Sequence, residues 1–177
     1  KDVRYHQLFL AKDETGYRNL VKLCSLGYME GLYGKYPRID KELVEKYHEG
    51  LIATTCCLGA QVPRTILKNG EEAGEKVFQW WHNLFGDDYY VELQRHDIPE
   101  QIKVNESLVK FARKYNVPII ASNDSHYVEQ EDANAHDILL CINTGEKQST
   151  PTNKEFSDDD EAKPKNTRFA FYNDQFY

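Results

Sequence analysis

Apolar and polar positions alternate between two periods along this chain. Tyr5 to Ala11 has a two-residue period that places His6, Leu8 and Leu10 on one face, which predicts a strand. Asp13-Glu14-Thr15 then opens a helix. On it Tyr17, Leu20, Val21, Cys24 and Tyr28 recur at helical spacing and predict a core-facing stripe. A Gly- and Tyr-rich loop spans Gly31 to Pro37. Asp40 caps a short helix carrying Leu43, Val44 and Tyr47, which stops at Gly50. Strands follow at 51–55, 89–94 and 117–122. Between them lie helices over about 60–68, 71–85 and 99–115, the last opened by Pro99 with Ile102, Leu108, Val109, Ala112 and Tyr115 on its core side. A further helix covers about 129–143.

Strand and helix therefore alternate at least four times. That pattern predicts parallel strands with helical crossovers, as a barrel or an open doubly wound sheet. In either architecture functional residues gather past the carboxyl ends of the strands.

From about 147 to 166 the pattern stops. Thr, Ser, Pro and Lys surround the run Ser157-Asp158-Asp159-Asp160-Glu161, which reads as a solvated, weakly packed loop. That run lacks the glycine turn and terminal Glu of a calcium loop. Residues 168–172 read as a last strand. The 177 residues, 40% of them hydrophobic, suffice for one domain with a sizeable core. A net charge of −7 repels phosphates unless metal ions or a local basic patch intervene, so no strong nucleic-acid binding is expected of this chain alone. No stretch has the length and apolarity of a membrane span, and no partner membrane is expected. Four cysteines, with Cys56 and Cys57 adjacent, do not resemble a disulfide framework and point to a reduced, cytoplasmic setting. The absence of an initiator Met suggests a fragment.

Candidate chemistry lies at the strand exits. Val117 to Ala121 is a β-branched run expected to form a buried strand, and Asn123-Asp124-Ser125-His126 leaves it. In extended chain, Asp124 and His126 would share a face, placing a carboxylate beside an imidazole as in half of a zinc or manganese site. Cys57 follows 51–55 and His96 follows 89–94, so three exits deliver Cys, His, Asp and His to one end of a parallel sheet. Each has a plainer explanation. Cys57 could be a buried core thiol, His96 a ring bonded to a loop carbonyl, and His6 a satisfied sheet histidine. His136, mid-helix, reads as structural, and Trp80-Trp81 as packing.

The stretches YHQLFLAKDETGYRNLVKLCSLGYMEGLYGKYPRID, EGLIATTCCLGAQVPRTIL, YYVELQRHDIPEQIKVN and VPIIASNDSHYVEQEDANAHDILLCINTG carry a specific resemblance. Over residues 1–146 the chain resembles the PHP (polymerase and histidinol phosphatase) domain of bacterial DNA polymerase III alpha subunits. The resemblance implies part of a distorted (β/α)7, TIM-like barrel whose first strands are missing. Residues 147–166 would then be a polar loop, and 167–177 a strand leading towards an absent polymerase palm. It also implies metal ligation by His6, Cys57, Asp124 and His126, with zinc or manganese in the intact domain. His96 and Asn123 would stand beside that site or meet substrate. The opening H-x-H of the family, the acidic residue and His after it, and a Glu are absent, so no catalytic residue is assigned here and about one ion is the most this shell could hold. For the parent, the resemblance implies a DNA-directed DNA polymerase of replication, using magnesium, with DNA, a proofreading exonuclease and a sliding clamp as partners. Within it the module would be a phosphoesterase or 3′-5′ exonuclease. Two alternatives are a non-catalytic module that stabilises the polymerase or docks a proofreading subunit, and a stand-alone metallo-phosphoesterase.

Overall fold

The computed structural model describes residues 4–152 and 167–177. The chain divides into two compact units, one of residues Lys1–Leu93 and Ile102–Ala121, the other of Gln94–Gln101 and Ser122–Tyr177.

The first unit is a mixed four-stranded sheet flanked by helices, with strand order β1-β2-β3-β4. The strands are β1 (Phe9–Ala11), β2 (Leu51–Thr54), β3 (Tyr89–Leu93) and β4 (Ile119–Ala121). The helices are α1 (Glu14–Met29), α2 (Lys41–Tyr47), α3 (Gln61–Asn69), α4 (Glu71–Phe85) and most of α5 (Pro99–Tyr115). β2, β3 and β4 pair in parallel, as the alternating periods require. β1 does not: it is antiparallel to β2, with Ala11 opposite Leu51. The period of a strand carries no direction; the connection sets it. Here α1 and α2 return the chain to the end it left, where the Lys12 N–H donates to the Gly50 carbonyl at 2.8 Å.

Four further expectations change. The buried face of α1 consists of Gly16, Leu23 and Gly27, while Tyr17, Val21, Cys24 and Tyr28 are exposed. Two glycines let the helix approach closely, and a search for large apolar residues overlooks such a face. β1 turns a half-buried Phe9 inward rather than Leu8 and Leu10, which are exposed, its ring lying 5.9 Å from Phe85 and 6.2 Å from Trp81. The apolar run of β4 is an exposed edge, not a buried strand: β4 ends the described sheet, so Ile119 is 45% exposed. Ile102 of α5 is exposed too; Leu108 and Ala112 are buried as expected, and Val104 and Phe111 join them in the core. Phe78 of α4 is the hub of this core, within 5.3 Å of Tyr89 and 5.4 Å of Phe111.

The second unit is built on α6 (Ala133–Thr144), preceded by a 3-10 turn at Gln130–Asp132. Residues 168–172 form no strand. Arg168 makes one parallel bridge to Thr152, and its buried side chain goes to the Thr150 carbonyl and the Asp137 carboxylate of α6. Residues 147–152 are held partly by Gln148, which donates to Asp137 and Asn134. The acidic run at 157–161, and residues 153–166 as a whole, lie outside the described residues. Among the described residues no helix is long and apolar enough to cross a membrane.

Candidate metal-ligand pairs

In the first unit the structure joins His6 to Cys57. The two are 51 positions apart, yet His6 Nδ1 lies 3.4 Å from Cys57 Sγ. His6 precedes β1 in an isolated parallel bridge to Ala60, and its N–H donates to the Gly59 carbonyl at 3.1 Å. Cys57 is delivered by a turn past β2 in which Cys56 takes a left-handed φ of 54°. Thr54 holds that turn: its Oγ1 accepts from the Cys56 N–H at 3.0 Å and donates to buried Glu92 at 2.6 Å. The hydrogen bond with Cys56 and then burial push the Cys57 thiol well above the usual cysteine range, while His6 draws it down. The pair is thus a protonated thiol against an imidazole, a soft and a borderline donor that a zinc-like ion would bind with loss of the thiol proton.

In the second unit Asp124 and His126 sit on one short loop, with a geometry unlike an extended strand exit. Asp124 has φ 49°, so the chain turns there. A polar exit free of ladder bonds can take this turn, and Asp tolerates it better than most residues. His126 Nδ1 lies 2.6 Å from the Asp124 carbonyl. As donor there, Nδ1 carries the ring proton and Nε2 keeps its lone pair, the tautomer a metal ligand needs.

Two neighbours fix this loop. His96 is fully buried, and its Nε2 donates to the Asn123 carbonyl at 2.5 Å. Gln101 Nε2 donates to His96 Nδ1 at 2.9 Å, and Gln101 Oε1 accepts from the His96 N–H at 2.8 Å. Phe176 stacks on the His96 ring at 4.1 Å, and its carbonyl accepts from the His126 N–H at 2.7 Å. Asn123 Nδ2 donates to the Tyr177 carbonyl at 3.1 Å. Periodicity gives no hint of Gln101 or Phe176, because their roles depend on contacts far along the chain. The ring of His136 lies 5.8 Å from that of His126, and burial followed by that neighbour lowers its pKa.

Among the described residues no group of three or more His, Cys, Asp and Glu side chains is placed to hold a metal ion. The structure brings the side chains of His6 and Cys57 together, whereas His126 meets the backbone carbonyl of Asp124 rather than its carboxylate.

Residues 1–96 match the family described as the PHP domain. The chain is 54% identical over 145 residues to the DNA polymerase III subunit alpha of Borreliella burgdorferi, covering 82% of this chain and 13% of that protein. To the protein of the same name from Thermus aquaticus it is 49% identical over 138 residues, 78% of this chain and 11% of the relative. To that of Mycobacterium leprae it is 38% identical over 173 residues, 97% of this chain and 13% of the relative. The chain thus spans about an eighth of the length of these relatives.

Proposed function

The chain belongs to the PHP domain family, and on that premise we propose that it is part of the alpha subunit of a bacterial replicative DNA polymerase III. The parent would be a DNA-directed DNA polymerase, a nucleotidyltransferase using magnesium and working in the cytoplasm with DNA, a proofreading exonuclease and a sliding clamp. The mixed sheet would be one part of a distorted (β/α)7 barrel, with residues 1–146 in the PHP module and 167–177 leading onward. Within the parent the module would be a metal-dependent phosphoesterase acting on 3′ ends. The observation that carries this reading is the contact of His6 with Cys57, two donors that the family pattern assigns to one metal cluster.

The donors present fit zinc or manganese. His6 and Cys57 would supply imidazole and thiolate, and Asp124 and His126 a carboxylate and an Nε2 lone pair. A bound ion of this kind lowers the pKa of water to about 7 and neutralises phosphate charge. Around it, the Nδ1 bond of His126 to the Asp124 carbonyl would hold the ring in its ligating tautomer. Thr54 would hold the turn that presents Cys57. His96 would position the Asn123-Asp124 backbone.

A second reading has its own support. The exposed stripe of Tyr17, Val21, Cys24 and Tyr28 on α1 suits a non-catalytic module that stabilises the polymerase or docks its proofreading subunit.

A catalytic site needs its metals held with a position open for water and substrate, and the family donors beyond His6, Cys57, Asp124 and His126 are not in this chain. The chain alone is therefore expected to bind at most about one zinc-like ion and to show no 3′-exonuclease or phosphatase activity above background. Incubation with manganese or zinc and a 3′-labelled strand, beside Asp124→Ala, tests this. Turnover that depends on Asp124 would show that these four donors suffice for catalysis.

A further inference from the structure

We propose that Cys56 and Cys57 together form a dithiol site for trivalent arsenic, the two sulfurs chelating one arsenic atom. The cysteines are neighbours in sequence, and in extended chain their side chains would point to opposite faces. The turn past β2 removes that opposition. Cys56 takes a φ of 54° there, and the two side chains share a hydrogen bond. Both are half-buried, so neither thiol is sealed in the core as Cys141 is. The turn is pinned at three points. The Cys56 N–H donates to Thr54 Oγ1 at 3.0 Å, the Ala60 N–H to the Cys57 carbonyl at 3.0 Å, and the His6 N–H to the Gly59 carbonyl at 3.1 Å.

Adjacent thiols can also close on each other, and the backbone disfavours it. Consecutive Cα atoms stand about 3.8 Å apart, below the usual range of about 4.4–6.8 Å for disulfide-linked residues, so a bond between these sulfurs would be strained and easily reduced. One soft atom set between the sulfurs removes that constraint. Arsenic(III) suits the place because it makes three bonds, two to sulfur and one to the group it carries, and so needs no third protein donor. A zinc-like ion asks for four donors. In the reaction, an arsenic oxide R–As=O meets two thiols. Two As–S bonds form, the As=O bond breaks, and its oxygen leaves as one water carrying both thiol protons. Arsenic stays trivalent throughout, so neither oxidant nor reductant is required. A single peptide already joins the two cysteines, and the pinned turn fixes them, so the second As–S bond closes within the molecule at little entropic cost.

Cys57 Sγ also lies 3.4 Å from His6 Nδ1. A Cys57 bonded to arsenic is no longer a donor to a zinc-like ion, so capture would shut off metal binding at the His6–Cys57 pair. That consequence rests on the metal-dependent reading of the module; capture itself does not. Arsenic held in chelator by a chain that shows no cobalt band when untreated would leave this inference standing and count against the metal reading alone.

The test incubates the 177-residue chain with phenylarsine oxide in EDTA and reads the adduct by intact-protein mass spectrometry, with and without millimolar glutathione. One adduct per chain should form and persist against glutathione, a monothiol, yet be stripped by the dithiol dimercaptopropanol. Trypsin should release it on peptide 47–64, which holds Cys56 and Cys57 and no other cysteine. Cys56→Ser and Cys57→Ser should each make the adduct about a hundredfold easier for glutathione to remove, as loss of the intramolecular second bond requires. Cys24→Ser with Cys141→Ser should leave its retention unchanged. The peptide map is made on the wild-type chain, which covers the case of a serine variant that fails to fold. With cobalt(II) in place of EDTA, an equivalent of the arsenical should abolish the thiolate-to-cobalt band. No adduct stable to glutathione, an adduct mapped to Cys24 or Cys141, equal retention in Cys56→Ser, or a cobalt band that survives the adduct would overturn the proposal.

Discussion

His96 Nε2 lies 2.5 Å from the carbonyl oxygen of Asn123, although 27 residues separate them. Both ring nitrogens of His96 are engaged, Nδ1 by Gln101 and Nε2 by Asn123, and its own carbonyl accepts from Asn173 Nδ2 at 2.6 Å. A fully buried imidazole with this many commitments is a structural keystone for the loop that carries Asp124 and His126. Replacement by Ala removes the stack on Phe176 and takes the ring partner from the Asn123 carbonyl and from the buried Gln101 amide. His96→Ala should destabilise the second unit by about 2–4 kcal/mol. Urea unfolding followed by hydrogen exchange at residues 122–127 measures it; unchanged protection there would mean that the loop holds itself.

Gly16 faces the carbonyl of Gly50 so closely that an added Cβ would lie 1.7 Å from the oxygen. That oxygen also accepts the Lys12 N–H, so it cannot move without breaking the β1–β2 junction. Gly16→Ala should therefore cost about 2 kcal/mol or more, although alanine is ordinarily the better helix former. A thermal melt of the variant against wild type decides it. A raised melting temperature would show that α1 does not pack this way.

Arg168 donates to both carboxylate oxygens of Asp137, at 2.5 and 3.1 Å, and holds that carboxyl below the usual aspartate range. A group whose pKa is depressed on folding contributes stability that is present above its unfolded value and lost as pH falls through its folded value. The second unit should accordingly lose stability below about pH 4. Asp137→Asn should be less stable at neutral pH and should lose that part of the acid dependence. Urea midpoints across pH 2.5–7 for both proteins check the sign, and parallel curves would contradict it.

The sequence made the elements legible because their signals are local. Asp13 and Asp40 cap α1 and α2, accepting from Gly16 and Leu43, and Glu71–Phe85 has the predicted bounds. What it hid was relational. The antiparallel pairing of β1 depends on where α1 and α2 return the chain. The buried stripe of α1 runs through two glycines, which hydrophobic periodicity cannot register. The exposure of β4 depends on having no neighbour beyond it in the described sheet. At the candidate site, the donor residues followed from strand exits and the family pattern, but the supporting contacts did not. Gln101 fixes a histidine tautomer, and Phe176 reaches back from the far end of the chain.

The central claim is that His6 and Cys57, 3.4 Å apart, are donors to a metal ion. Titration of the chain with cobalt(II), a spectroscopic substitute for zinc, tests it most directly. Thiolate-to-cobalt charge transfer should appear at about one equivalent. It should vanish in Cys57→Ser, persist in Cys24→Ser, and weaken in His6→Ala. A band that survives Cys57→Ser, or no band at all in the wild-type chain, would contradict the assignment.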